Sequence, residues 1–169
     1  MPPPAPRPHA VLYYSISGHT DQVAHQIAKS LGADLFRIAT KRYGRGPLSY
    51  MKAGFDSLTG RLPPITPVAD LRGYESVSLG APIWAGRPAM PLRSYLSQHP
   101  ALPHSVGLFV TSGGPNAPER AYEVAQGLLG RSFAAILHVP NRLDAPSAQD
   151  RVASYCDAIR SASGASALG

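Results

Sequence analysis

A stretch rich in hydroxyl groups and glycine stands near the start of the chain, at residues 15–20. It reads Ser15, Ile16, Ser17, Gly18, His19 and Thr20, between an apolar run at residues 10–14 and a helical pattern that ends at Leu31. In a strand–turn–helix of this kind, backbone N–H groups, hydroxyls and the positive end of the helix dipole converge on one point. The stretch therefore predicts a cradle for a phosphate group. The alternative is an ordinary helix cap, with Thr20 as the capping residue.

Two further segments have the composition of ligand-binding loops. The first reads Gly80, Ala81, Pro82, Ile83, Trp84, Ala85 and Gly86, and it holds the only tryptophan of the chain. The indole ring of Trp84 could stack on a flat ligand, or it could pack in the core. The second reads Thr111, Ser112, Gly113 and Gly114. Its two glycines would let a ligand approach the backbone closely, or they would serve only a turn that needs positive φ.

Each of these segments follows an apolar stretch that reads as a β-strand. The predicted strands are residues 10–14, 34–39, 74–81, 105–111 and 132–139. The predicted helices are residues 20–31, 88–98, 118–129 and 147–162, two of them with a proline near the start. Strands that alternate with helices predict a parallel sheet covered on both faces. In the order 2-1-3-4-5, the ends of the first, third and fourth strands are neighbours, so the three segments would meet at one site.

This combination of segments resembles the flavodoxin family. Residues 15–20 match the family's phosphate loop, (Thr or Ser)-x-Thr-Gly-x-Thr, with Ser17 in place of the central Thr. Residues 80–86 resemble the loop that carries an aromatic side chain beside the flavin ring, and residues 111–114 resemble the loop at its pyrimidine side. The resemblance covers residues 9–160. It implies an α/β, flavodoxin-like three-layer sandwich, with a five-stranded parallel sheet in the order 2-1-3-4-5 and helices on both faces.

The resemblance also implies FMN as the cofactor. Hydroxyls of the first loop and N–H groups around Gly18 would bind its phosphate, while His19 occupies a variable position and is expected to face water. Residues 132–141 leave no room for the insertion of the long-chain flavodoxins, so the chain resembles the short-chain ones. The implied cofactor-binding residues are Ser15, Ile16, Ser17, Gly18, His19, Thr20, Pro82, Ile83, Trp84, Ala85, Gly86, Thr111, Ser112, Gly113 and Gly114.

The charge and the third loop depart from the pattern of the electron-carrying flavodoxins. The chain is basic, with 16 Lys and Arg against 10 Asp and Glu and a formal net charge of +6, whereas many flavodoxins are acidic. Residues 111–117 contain neither an acid nor an aromatic ring. Without a nearby negative charge, an anionic reduced flavin is less costly to form, and without a second ring one flavin face is more open.

These departures favour an FMN-dependent oxidoreductase, with NAD(P)H as the donor and a quinone or similar small molecule as the acceptor. The alternative is a flavodoxin-type electron carrier that docks an acidic redox partner. A third possible function is that of a phosphate-binding regulatory or partner-binding domain without redox chemistry. No residue is assigned an acid–base catalytic role, because the redox chemistry would belong to the flavin.

Positive charge is concentrated between residues 41 and 61. The segment contains one acid, Asp56, and five basic residues: Lys41, Arg42, Arg45, Lys52 and Arg61. Its apolar residues Leu48, Met51, Phe55 and Leu58 recur at spacings of 3, 4 and 3, which predicts a short amphipathic helix. We expect this helix to cover the sheet, with a lid beside the flavin as the alternative. Nucleic acid is not an expected partner, because no known binding motif accompanies the charge.

The length of 169 residues predicts a single domain. We expect a flexible proline-rich N-terminus at residues 1–8, a flavodoxin-like FMN-binding domain at residues 9–162 and a flexible C-terminus at residues 163–169. The single cysteine, Cys156, excludes an intramolecular disulfide and a multi-cysteine metal site, and no metal is expected. No apolar run reaches the length of a membrane span and no secretory signal is present, so a cytoplasmic location is expected. A homodimer is left open.

Overall fold

The computed structural model describes residues 7–166. Strands and helices alternate along this part of the chain, as the sequence predicts. In chain order the elements are β1 (His9–Tyr13), α1 (His19–Leu31), β2 (Asp34–Arg37), α2 (Pro47–Thr59), β3 (Ser76–Trp84), β4 (Arg87–Pro88), α3 (Met90–Ser97), β5 (Ser105–Ser112), α4 (Glu119–Leu129), β6 (Ala135–Pro140) and α5 (Ala145–Ser166).

Five strands form a parallel sheet in the order β2-β1-β3-β5-β6. This is the predicted order 2-1-3-4-5, once the short strand β4 is set aside. The strand β4 was not predicted, and it pairs antiparallel with the end of β3. Because β3 lies between β1 and β5, the carboxyl ends of these three strands stand side by side.

Helices cover both faces of the sheet and complete a three-layer sandwich. The strand β1 is buried along its whole length, because a central strand of a parallel sheet has core on both sides. Its residue Leu12 packs in one core with side chains of α3 and α4, and its residue Val11 packs in the other core with α1 and α5. The flavodoxin-like architecture predicted from the sequence is confirmed.

The centre of the sheet is packed so tightly that two strand positions require glycine. A Cβ atom on Gly80 would lie 2.0 Å from the ring of Phe109, its neighbour on β5. A Cβ atom on Gly107 would lie 2.1 Å from the hydroxyl of Tyr155. The glycine that opens the predicted second loop therefore serves the packing of the sheet.

The ends of the domain differ from the predicted boundaries. Helix α5 continues to Ser166, and the buried Ser163 donates a 2.8 Å hydrogen bond to the carbonyl of Ile159. Residues 163–166 therefore belong to a helix and not to a tail, and residues 167–169 lie outside the described residues. At the other end, Arg7 donates to the carbonyl of Ala33, and the carbonyl of Pro8 accepts from the backbone of β3 and the residue before it. Residues 1–6 lie outside the described residues.

The helix α2 forms where an amphipathic helix was predicted, but the opposite face is buried. We call Leu48, Met51, Phe55 and Leu58 the α2 stripe; each is between 62% and 72% exposed. The buried residues of α2 are Ala53, Asp56 and Ser57. The helix packs beside the end of β3 through its small and polar residues, and the apolar face from which it was predicted is the exposed one. Periodicity identifies an apolar face but cannot show which face turns inward when polar residues find partners there.

Candidate functional site

The three predicted loops meet at the carboxyl edge of the sheet. A buried hydrogen bond of 2.8 Å joins the hydroxyl of Thr20, in the first segment, to the hydroxyl of Thr111, in the third. The backbone N–H of Tyr14 donates to the carbonyl of Gly80 over 2.9 Å, which extends the pairing of β1 and β3 into the loops. The first and third segments are thus in direct contact, and the first strand is paired with the strand that carries the second segment.

The first segment forms a compact turn that leads into α1. The N–H of Gly18 donates to Ser15 Oγ over 3.2 Å, and Gly18 has a φ of 97°, which only glycine adopts without strain. Gly18 is also the N-cap of α1, and no side chain caps this helix end. The N–H groups of the first helical turn lack intrahelical partners, so they remain free to bind an anion.

The hydroxyls of this turn divide into buried and exposed ones. Ser15 and Thr20 are buried, whereas Ser17 and His19 are exposed. Each hydroxyl carries one proton to donate. Within the pair of Thr20 and Thr111, one hydroxyl donates to the other, so the proton of the accepting hydroxyl stays available. His19 lines a cleft of about 170 Å³ together with Thr111 and residues of the β6–α5 connection.

An arginine that the sequence analysis did not single out stands beside this turn. Arg37 Nη2 donates to the carbonyl of Ser15 over 2.9 Å, and Arg37 Nη1 lies 3.6 Å from the carboxylate of Asp21 in the first turn of α1. The Tyr13 hydroxyl also donates to Asp21. Burial, with the hydrogen bond to Asp21, raises the pKa of Tyr13 to about 12. The negative charge of Asp21 is thus countered locally, which leaves the helix end favourable for an anion.

The second segment is a tight hairpin and not the open loop that was predicted. The strand β3 continues to Trp84, and β4 returns antiparallel, pairing Trp84 with Arg87. The two central residues, Ala85 and Gly86, have φ values of 49° and 73°. Positive φ at both central positions is the requirement of the type I′ hairpin turn. The hairpin holds Trp84 at a defined place on the sheet edge.

The ring of Trp84 belongs to an aromatic cluster. It packs edge to face with Tyr14, at a centroid distance of 5.6 Å, and with Tyr43, at 5.1 Å. Trp84 is partly exposed, whereas both tyrosines are buried. Burial raises the pKa of Tyr14 to about 12, so its hydroxyl stays neutral at physiological pH. Trp84 therefore packs part of its surface against the core and leaves the rest exposed.

Helix α2 holds this cluster through its polar buried face. Ser57 Oγ donates to the carbonyl of Trp84 over 2.9 Å, and Arg87 Nη1 donates to the carbonyl of Ser57 over 3.1 Å. Beside it, the fully buried carboxylate of Asp56 accepts from Tyr43 over 2.6 Å and from Arg42 Nη2 over 2.8 Å. The second Asp56 contact with Arg42, through Nε, makes the ion pair bidentate.

This network shifts the protonation of its members. The hydrogen bond from Arg42, supported by the one from Tyr43, holds the pKa of Asp56 below its ordinary value, although burial acts in the opposite direction. Burial and the hydrogen bond to Asp56 raise the pKa of Tyr43. In the sequence, Asp56 stands out only as the one acid of a basic segment. Its isolation among five basic residues was the signal that it would be paired.

The third segment is open and polar. Ser112 Oγ donates to the carbonyl of Gly114 over 2.9 Å and lies 2.7 Å from His138 Nε2. Because the Ser112 proton is used, His138 Nε2 must carry a hydrogen and donate to Ser112. Burial, with the nearby charge of Arg151, lowers the pKa of His138, which favours this neutral form. Gly113 and Gly114 are exposed and neither has positive φ, so they do not serve a left-handed turn.

Neither a metal-binding cluster nor a membrane-spanning helix is found in the described part of the chain. Within residues 7–166, no group of three or more His, Cys, Asp or Glu side chains is placed to hold a metal ion. Over the same range, no helix combines the length and apolarity that a membrane span requires. Cys156 is buried in α5, as expected, and burial raises the pKa of its thiol.

Comparisons with known proteins agree with this architecture. No protein-family model matches the chain. A curated relative, an NAD(P)H dehydrogenase (quinone) from Azorhizobium caulinodans, is 33% identical over 89 residues, which are 52% of this chain and 44% of that protein. The chain thus matches less than half the length of this relative.

Solved structures resemble the chain over most of its length. The flavoprotein of Lactobacillus acidophilus NCFM in complex with FMN superposes with a TM-score of 0.68 and 23% identity, over 78% of this chain and 93% of that one. A flavodoxin, WrbA-like protein of Agrobacterium tumefaciens superposes with a TM-score of 0.57 and 15% identity, over 91% of this chain and 96% of that one. Together with the strand order, these similarities show that the chain has the flavodoxin-like fold.

Proposed function

We propose that the chain binds FMN at the edge where β1, β3 and β5 end, and that it is an oxidoreductase. The observation that carries this proposal is the buried hydrogen bond between Thr20 and Thr111. This hydrogen bond joins the first segment, residues 15–20, to the third segment, on the sheet edge that also carries Trp84. The flavoprotein of L. acidophilus, with the same fold, is described in complex with FMN, which supports this choice of ligand.

The first segment fits the phosphate of FMN. Its donors are the exposed hydroxyl of Ser17, the remaining protons of the buried hydroxyls and the uncapped N–H groups of α1. A Cβ atom on Gly18 would meet nothing within 4 Å, so the turn is open on the side where a ligand would approach. Arg37 beside it offsets the negative charge of Asp21 in the first turn of α1. These groups would orient the cofactor by its phosphate end.

The second and third segments fit the two sides of the flavin ring system. On one side, the exposed part of Trp84 would pack on the ring, and Ser57 and Tyr43 keep Trp84 in place. On the other side, Gly113 and Gly114 have open space around them. Bound FMN would supply the redox chemistry, which no side chain of this chain provides. The residues of the protein would therefore bind and orient FMN, and they would leave one face of its ring system accessible.

An accessible ring favours direct reaction with small molecules. Residues 111–117 bring no acid and no aromatic ring to the third segment. We therefore propose NAD(P)H as the donor and a quinone or a similar small molecule as the acceptor. The relative from A. caulinodans is described as an NAD(P)H dehydrogenase (quinone), which supports this proposal for the part of the chain that matches.

A second candidate is an electron carrier that docks an acidic protein. Among residues 7–166, Arg42 is the member of the basic segment that forms an ion pair. The other four basic residues are exposed: Lys41, Arg45, Lys52 and Arg61. This surface could attract an acidic partner. Anaerobic mixing with NADH or NADPH separates the two functions, because rapid direct bleaching of the bound flavin supports the enzyme, and bleaching only through an added reductase supports the carrier.

Binding of FMN is tested first, by titration of the purified chain with FMN and with riboflavin. Replacing Ser17 and Thr20 together with Ala should weaken FMN binding by about 100-fold, since two hydrogen bonds to a charged group are lost, and should leave riboflavin binding within about threefold. The control is Ser154→Ala, an exposed serine on α5, which should change neither affinity. A chain that retains no FMN, or equal losses for both ligands, would contradict the proposed site.

A further inference from the structure

A cavity of about 220 Å³ lies between the first segment and the connection from β2 to α2. Its walls come from residues 14–16, 37–40 and 43–45, and we call it the β2–α2 cavity. Two arginines, Arg37 and Arg45, line it, and none of the described residues that line it is acidic. The cavity therefore has the composition of a site for an anion.

The β2–α2 cavity is separate from most of the proposed phosphate site of FMN. The groups that lie outside the cavity are Ser17, Thr20 and the N–H groups at the start of α1. Only Ser15 and Ile16 of the first segment line it, and His19 lines a different cleft. Because FMN has a single phosphate, FMN bound at the start of α1 would leave this cavity free for a second anion.

The two arginines of the cavity differ in their partners. Arg37 is held in place, because its Nη2 donates to the Ser15 carbonyl over 2.9 Å and Asp21 lies 3.6 Å from its Nη1. A guanidinium has five N–H donors, so Arg37 keeps donors for a ligand. Arg45 is exposed and forms no ion pair within residues 7–166. The cavity thus combines one fixed guanidinium with one whose charge is not matched.

A buried hydroxyl without a partner also lines the cavity. Tyr14 is 5% exposed, and no hydrogen bond to the rest of residues 7–166 engages its hydroxyl. Burial raises the pKa of Tyr14 to about 12, against the effect of the nearby Arg37 charge, so the hydroxyl keeps a proton to donate. The Thr40 and Tyr43 hydroxyls already donate to protein groups. Since buried polar groups are normally hydrogen-bonded, the free Tyr14 hydroxyl indicates a ligand.

We propose that the β2–α2 cavity binds a phosphate monoester, and that this group is the 2′-phosphate of NADPH. The inference rests on the proposed function for the identity of the donor. Arginine binds phosphate through a planar fork of N–H groups, and an arginine near the nucleotide is how dinucleotide-binding proteins accept the 2′-phosphate. NADH has a hydroxyl at this position, so the cavity would select NADPH.

The cavity adjoins the place proposed for the flavin ring. Tyr14 and Tyr43 line the cavity, and their rings also pack on Trp84, at centroid distances of 5.6 and 5.1 Å. A dinucleotide with its 2′-phosphate in the cavity would therefore lie beside the aromatic cluster around Trp84. Pockets that enclose a whole ligand measure about 300–1,000 Å³, so the β2–α2 cavity would take the phosphate end alone.

The test is calorimetric titration of the full chain with NADP⁺ and NAD⁺, which differ only in the 2′-phosphate. We expect NADP⁺ to bind at least about tenfold more tightly, since NAD⁺ lacks the charge-assisted hydrogen bonds. Equal affinities would overturn the proposal. Inorganic phosphate should bind at least about tenfold more weakly than NADP⁺, because it lacks the contacts of the dinucleotide. Phosphate that binds as tightly as NADP⁺ would assign the cavity to free phosphate and overturn the choice of NADPH.

Variants locate the 2′-phosphate. Arg45→Gln should weaken NADP⁺ binding at least about tenfold and leave NAD⁺ binding within about twofold. Tyr14→Phe, which keeps the ring and removes the hydroxyl, should weaken NADP⁺ binding at least about threefold. The control is Lys52→Gln, at an exposed base that does not line the cavity, and it should change neither affinity. Equal losses for NADP⁺ and NAD⁺ in Arg45→Gln would contradict the assignment.

The same titrations separate this inference from the proposed function, because they need no turnover and are run with and without saturating FMN. A chain that binds no FMN but prefers NADP⁺ contradicts only the FMN site. A chain that binds FMN but does not distinguish NADP⁺ from NAD⁺ contradicts only the β2–α2 cavity. Loss of NADP⁺ binding when FMN is added would place its phosphate at the start of α1 and overturn the inference.

Discussion

The Tyr43 hydroxyl donates a 2.6 Å hydrogen bond to the buried carboxylate of Asp56, and the ring of the same tyrosine packs edge to face on Trp84. Asp56, on α2, is therefore linked to Trp84 through Tyr43. Arg42 completes the neutralisation of the carboxylate. The position of Trp84 thus depends on a buried charge that the helix brings in.

We expect Asp56→Asn to destabilise the fold by about 2 kcal/mol, because it replaces the buried carboxylate that accepts hydrogen bonds from Tyr43 and from the partly exposed Arg42. Urea unfolding of variant and wild type measures this change. The matched control is Asp157→Asn, whose pair with Arg160 is exposed and should contribute about 0.5 kcal/mol or less. Similar losses of unfolding free energy in the two variants would show that the Asp56 pair contributes no more stability than an exposed ion pair.

Ser57→Ala should lower the stability by about 1 kcal/mol, because the carbonyl of Trp84 loses its donor. Trp84 is the only tryptophan, so its fluorescence reports directly on this contact. We expect the emission maximum to move to longer wavelength, as the ring becomes more exposed. The exposed Thr59→Ala on the same helix should leave the spectrum unchanged, and an unchanged spectrum in Ser57→Ala would count against the anchoring role of Ser57.

Thr111→Val should weaken FMN binding by about tenfold, because Thr20 loses the hydroxyl that holds it. Riboflavin, which lacks the phosphate, should lose less than about threefold. Fluorescence titration with both ligands gives the ratio. Thr66→Val, at an exposed threonine, is the control. If both ligands lose affinity equally, the pair of threonines supports the fold and not the phosphate contact.

Stability should rise with pH between about 5 and 7. His9 and His138 are both 8% exposed, and burial lowers the pKa of each below 6.5. Below that value the unfolded chain binds more protons than the folded one, so the free energy of unfolding falls as the pH falls. Urea unfolding of a His9→Gln, His138→Gln double variant should show a shallower slope. A slope equal to that of the wild type would assign the pH dependence to other groups.

Gly80→Ala should destabilise the fold by about 3 kcal/mol or more, because the added methyl group would collide with the ring of Phe109. Gly114→Ala is the control, since a Cβ atom there meets nothing within 4 Å. Thermal unfolding of both variants measures the difference. Adding Phe109→Leu to Gly80→Ala should recover part of the loss, and a failure to recover any would show that the strain lies elsewhere.

The parts of the fold that local patterns encode could be predicted from the sequence. The alternation of strands and helices predicted a parallel sheet covered on both faces, and the hydroxyl–glycine pattern of residues 15–20 predicted a turn that leads into α1. These features depend on residues close together in the chain, so their periodicity and turn chemistry are visible. The order of the strands, and with it the meeting of the three segments, followed from the resemblance to the flavodoxin family.

The rest depends on contacts between distant residues. Arg37 reaches the carbonyl of Ser15, and Ser57 reaches that of Trp84, across 22 and 27 residues, which no local pattern reveals. The buried polar face of α2 requires the pairing of Asp56, and the hairpin at Ala85 lacks the Asn-Gly signal of such turns. The errors in the predicted site therefore concentrate where α2 meets the end of β3.

The shallow buried face of α2 has a dynamic consequence. Apart from Ala53, its buried residues are polar, so little apolar burial opposes its detachment from the sheet. We expect α2 to open by local unfolding well below the free energy of global unfolding, and its amides to exchange hydrogen earlier than those of α1 or α5. Each opening would release Trp84 from Ser57. The position of the aromatic cluster around Trp84 would then depend on the opening equilibrium of α2. A molecule bound to the outer face of α2 would slow this opening and keep the cluster in place.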